Sequence, residues 1–192
     1  MNKFLVLAVV TVSIYSCKSK QDKQDTGSSF FPVLSFINSQ IAQVDTSLYG
    51  IIRITKTGSL SDTQYIKREE FRKTAQEFLD IPDITSSKLR NEYVEQKIFD
   101  ESLNKVILNY TTKDTGAEIL RQEVLIQPNP MGDEVKTIFI DRVQRFNDST
   151  VQKKMSWQVN KWFQVTTITQ KGKQPEKVQT VEVIWNDISS AE

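Results

Sequence analysis

The chain has 192 residues, with 25 basic and 24 acidic side chains, no histidine and a single cysteine, Cys17. Near-neutral charge without a basic cluster argues against nucleic acid as a partner. The missing histidine removes Ser-His and Cys-His nucleophile systems and histidine-based metal centres, and the six glycines form no phosphate-binding or Ca²⁺ loop, so neither a cofactor nor a metal is expected.

Residues 1–16 read as an export signal. Lys3 gives a positive start, an apolar run follows from Phe4 to Ile14, and Ser16 is a small residue just before Cys17. The run falls short of the roughly 20 apolar residues that span a bilayer. With Ile14 and Ser16 ahead of the cysteine, the segment resembles a bacterial lipoprotein signal, which implies that Cys17 becomes the lipidated N-terminus. Residues 17–29 are polar and read as a flexible tether. Lys3 is the one basic residue before Cys17 and no acid precedes it, so the chain from Cys17 onward is neutral. Residues 30–192 are long enough for one domain with its own core.

Phe30, Leu34, Ile37, Ile41, Val44 and Leu48 recur at helical spacing, with Val33 and Phe36 beside them and Pro32 suited to a first turn. Such a stripe either packs on a sheet or serves as a lid or partner-binding helix. The β-branched stretch 49–57 reads as a strand that ends at Gly58 in a Ser-Leu-Ser-Asp turn. A second helix is expected from Arg68, with Ile66 and Phe71 as a hydrophobic staple around Lys67, a buried face of Phe71, Ala75, Phe78 and Leu79, and Pro82 as the stop.

From residue 91 the pattern changes to alternating runs: 93–99, 106–112, 118–127, 135–146, 151–159, 162–170 and 177–185. The intervening turns are too short for crossovers, so the strands are expected as antiparallel neighbours. The fold class that follows is α+β: two N-terminal helices packed on a strongly curved or barrel-like antiparallel meander of about eight strands. For the hairpin after residue 151, a two-residue Asn160-Lys161 turn sets Trp157 across from Gln164. One extra loop residue sets Trp157 against Val165 and Val159 against Phe163, which keeps one apolar face.

Carboxylates such as Glu95, Glu123 and Asp141 fall on expected strands, yet nothing in the sequence pairs them as a two-acid hydrolase would need. The chain is therefore read as non-enzymatic. Trp162 and Phe163, near the hairpin tip, and Phe36 and Ile37, on the first helix, are the candidates for contact with a ligand or partner.

The signal and tether, Phe-Phe-Pro-Val-Leu-Ser-Phe-Ile at 30–37, Gln-Glu-Phe-Leu at 76–79 and Ser-Trp-Gln-Val-Asn-Lys-Trp at 156–162 together resemble a group of uncharacterised lipoproteins from Bacteroidota. The resemblance implies an exported, membrane-anchored envelope protein and brings no activity with it. In that phylum Asp148-Ser149-Thr150 resembles an O-glycosylation site at Ser149. No Asp follows Cys17, which by the same resemblance favours the outer over the inner membrane. Two roles stay open: a protein-interaction or structural module, or a carrier of a small apolar ligand such as a lipid between helices and sheet. The order helix, strand, helix, meander also suits an NTF2-like pocket, whose usual catalytic version employs histidine.

Overall fold

The computed structural model describes residues 30–186; the expected signal, Cys17 and the tether lie outside them. Helix α1 spans Val33–Asp45, with Pro32 as its N-cap residue. Its buried side is Val33, Ile37, Ile41 and Val44. Leu48, assigned from spacing to the same stripe, lies past the helix end and is 98% exposed.

Strand β1 (Ile52–Thr57) turns back into β2 (Leu60–Tyr65). Sequence reading gave residues 60–65 no strand, since they carry little apolar alternation. The structure makes them the second half of a hairpin in which Thr57 pairs with Leu60. Gly58 sits at φ 59°, a conformation open to glycine at little cost and suited to a two-residue hairpin loop.

Helix α2 (Arg68–Ala75) begins where the staple predicts. The Glu70 carboxylate accepts the Lys67 backbone N–H at 3.2 Å, and Ile66 and Phe71 are both buried. The helix runs into a 3₁₀ turn, Gln76–Phe78, ahead of Pro82. Arg68 donates to the Ser47 carbonyl and Arg72 to the Asp45 carboxylate, which ties α2 to the end of α1.

The meander then runs through β3 (Tyr93–Asp100), β4 (Lys105–Thr112), β5 (Ile119–Gln127), β6 (Glu134–Arg145), β7 (Ser149–Gln158), β8 (Trp162–Lys171) and β9 (Lys177–Ile184). All pairings are antiparallel, in the order β2-β1-β9-β8-β7-β6-β5-β4-β3. Three expectations need correction. The sheet has nine strands rather than about eight. The helices are not both N-terminal, because the β1–β2 hairpin separates them. Finally, β2 and β3 each pair on one side only, so the sheet is open and not a closed barrel. The hairpin joins beside β9, Ile52 opposite Ile184, so it extends the sheet instead of bridging its ends.

The β7–β8 register is neither of the two derived from turn length. Trp157 pairs with Phe163 and Met155 with Val165, leaving Val159, Asn160 and Lys161 as the loop. Asn160 takes φ 61°, where Asn is among the best tolerated non-glycine residues, and its N–H donates to the Gln40 side chain of α1 at 3.2 Å. The reason for choosing a register, one apolar face, still holds. The Trp157–Phe163 pairing satisfies it as the longer loop would, because those two registers differ by two residues and leave the same side chains on each face.

Candidate functional site

Alternation gives the sheet an inner face beneath the helices and an outer face. Trp157, Phe163, Val183, Ile138, Ile140, Val124 and Tyr110 are all buried on the inner face. Trp157 stacks on Phe163 with centroids 5.2 Å apart, and Phe78 meets the Trp157 ring edge-on at 5.2 Å. Phe71 lies 5.2 Å from Trp185, the residue just after β9. Ile37 and Ile41 of α1 belong to the same cluster and are essentially without exposure. Each such side chain contributes about 1.5–3 kcal/mol by leaving water. The middle of the helix–sheet interface is thus filled by side chains.

This placement decides what the contact candidates can do. Ile37 and Phe163 are core residues and present no surface. Phe36 is half-buried, edge-on to Phe31 at 5.4 Å. Trp162 is half-buried on the outer face between Gln158 and Ile184. The four are not brought together. Ser149 opens β7, half-buried, with its hydroxyl 3.1 Å from Asp148 Oδ1. Cys17 lies outside the described residues.

The candidate acids divide between the faces. On the inner side, Glu95 accepts the Tyr110 hydroxyl at 2.9 Å. On the outer side, Glu123 and Asp141 share Arg121, at 3.2 and 2.9 Å. Arg142 is buried and paired with Glu118, Nε–Oε1 2.7 Å, which satisfies its charge. Among the described residues no cluster of three or more Cys, Asp or Glu side chains could hold a metal ion.

A cavity of about 440 Å³ opens where α2 crosses β1 and β9. It is lined by Arg53 and Thr55 of β1, Gln179 and Val181 of β9, Glu70, Lys73 and Thr74 of α2, and Glu77. Thr55 pairs with Val181 and Arg53 with Val183, so these strand residues share the inner face. The arrangement follows from an inversion on β1, whose alternation turns Arg53 and Thr55 toward the helix layer and Ile52 and Ile54 away from it. Arg53 Nε is buried and has no hydrogen-bond partner. Glu77 pairs with Lys153 at 2.7 Å. Sequence reading passed over Arg53; its position amid Ile51, Ile52 and Ile54 was the available signal.

The opposite end of the sheet is different in character. On the edge strand β3, Val94, Ile98 and Phe99, with Leu103 in the following turn, are each about half exposed. Edge strands are usually guarded by charge or proline; on β3, Glu95, Gln96, Lys97 and Asp100 alternate with the apolar residues, and Val94 and Ile98 lie on the outer face with Phe99 on the inner one. No helix among the described residues is long and apolar enough to cross a membrane. No protein-family model matches this chain, and no curated protein or solved structure matches it either.

Proposed function

We propose that the protein is a lipid-anchored module of the cell envelope, non-catalytic, that engages another envelope protein through the open β3 edge of its sheet. The observation that carries the reading is the contrast between a core cluster closed under the helices and an edge strand, paired on one side only, that keeps Val94, Ile98 and Phe99 half in water. An edge strand offers a row of backbone donors and acceptors to an added strand, and the apolar side chains supply contact area. The filled middle of the core and the four charged residues that line the groove under α2 weigh against the alternative role, a carrier of apolar ligands, whose site is a mostly apolar cavity of about 300 Å³ or more. The anchor follows from Cys17 after an apolar run, and attachment through two or more acyl chains would hold the module at the membrane, in the outer membrane by the signal's resemblance.

A photo-crosslinking residue at Phe99, in the full-length protein in its native membranes, tests this. The expected result is a discrete crosslinked envelope protein from position 99 that is absent from the outer-face position Gln152. Cys17→Ser should release the protein from the membrane fraction and remove the crosslink. Equal labelling from both positions, or a Cys17→Ser protein that stays membrane-bound, would contradict the reading.

A further inference from the structure

Arg53 is the least explained charge in the described structure. Arg53 is half-buried, and the part of a guanidinium drawn out of water without a partner bears a desolvation cost that nothing offsets. Its Nε is buried without a partner, and among the described residues its side chain makes no ion pair. Lys73, across the same groove on α2, has no ion-pair or hydrogen-bond partner among them either. Of the lining acids, Glu77 is offset by Lys153 at 2.7 Å, whereas the Lys67 N–H at 3.2 Å only hydrogen-bonds Glu70 and brings no counter-charge. Arg53 and Lys73 against Glu70 leave the groove with a net positive charge.

The remaining lining defines what kind of anion fits. Thr55, Thr74 and Gln179 offer hydroxyl and amide groups to a ligand's hydroxyls, while Val181 and the aliphatic stems of the long side chains leave apolar surface that suits the C–H faces of a sugar ring. Glu70, without a cationic partner among the described residues, flanks Arg53 and Lys73 and would repel a second negative charge, which favours a monoanion over a phosphate dianion. A planar carboxylate also matches the arginine fork. We propose that the groove between α2 and strands β1 and β9 binds a small hydroxylated carboxylate of the sugar-acid class. The carboxylate sits on Arg53 and Lys73, and the hydroxyls meet Thr55, Thr74 and Gln179.

Calorimetric titration of the full chain in detergent, at fixed ionic strength, with glucuronate, galacturonate, glucose and inorganic phosphate tests the assignment. At least one of the two sugar acids should bind saturably, glucose should bind at least about tenfold more weakly, and Arg53→Gln should weaken the acid about tenfold or more, as loss of a charge-assisted pair does. Lys73→Gln, on an exposed side of α2, should do the same without touching the fold, and decides the matter if Arg53→Gln fails to fold. Three results would overturn the proposal: no saturable binding of either acid, phosphate binding as tightly as the acids, or unchanged affinity in Lys73→Gln.

Discussion

Tyr110 joins three parts of the chain through one hydroxyl. It accepts the Phe31 N–H at 3.0 Å, just before α1, and donates to Glu95 on β3 at 2.9 Å, while its ring lies 4.7 Å from Phe30. Tyr93 is a second buried phenol, donating to the Ile119 carbonyl at 2.7 Å. Burial, reinforced by Glu92, Asp114 and Glu118, pushes the Tyr93 phenol up from 10.0 to about 12. Burial, with Glu95 adding to it, drives Tyr110 in the same direction. Both phenols hold their protons more tightly when folded. The stability this confers is complete below the unfolded value near 10 and is lost as pH rises through the folded value near 12. Urea melts across that alkaline interval should therefore show falling stability, and Tyr110→Phe should flatten part of the decline while costing about 1–3 kcal/mol at neutral pH, because the Phe31 N–H loses its acceptor. A Tyr110→Phe protein with an unchanged alkaline slope would show that the phenol does not control it.

Single-residue placement also marks how far the sequence could be read. Trp157 and Phe71 were assigned to buried faces from periodicity alone, since one face of each element is uniformly apolar. Phe163 and Ile37 follow the same patterns, and their full burial shows that aromatic or apolar character near a loop or on a helix does not separate a contact residue from a core one. Arg53 was missed for the converse reason. A lone charge in a β-branched run is read as facing solvent until the strand's neighbours are known, and the pairing of β1 with β9 was not legible in any turn.

At the scale of elements, local signals did well wherever they were strong. The staple at Ile66 and Phe71 placed the start of α2, and the seven strands from Tyr93 onward fall within a residue or two of their expected limits. β2 escaped because Leu-Ser-Asp-Thr-Gln-Tyr is exposed on both faces and so carries no burial period for alternation to reveal. The β7–β8 register escaped because turn length was argued from Asn160-Lys161, whereas Val159 also belongs to the loop. For α1 the choice between lid and permanent layer turns on Ile37, which has no exposure and packs in the common cluster. Ile37→Asn should leave an amide buried without a partner and, with the lost methyl contacts, destabilise the fold by about 3 kcal/mol or more. An unchanged thermal melt for this variant would show that α1 leaves the sheet readily.

As a whole, the molecule is a single open sheet roofed on one side by two helices, with its chemistry at the margins. The positive groove lies near the β2 end, where β1 and β9 pass under α2; the apolar edge lies at the β3 end. Open sheets of nine strands depend on a cover for their apolar face, and here both helices and Trp185 supply it. A roof of this kind, tied by Arg72 to Asp45, by Lys153 to Glu77 and by Asn160 to Gln40, leaves a partner only the exterior. Hydrogen exchange of the α1 amides, followed against those of β7 and β8, tests that claim most directly. The amides of Ile37 and Ile41 should exchange nearly as slowly as those at the centre of β7, through global unfolding. Exchange of α1 orders of magnitude faster, with β7 and β8 still protected, would contradict it and make the helix a lid over an interior that can open.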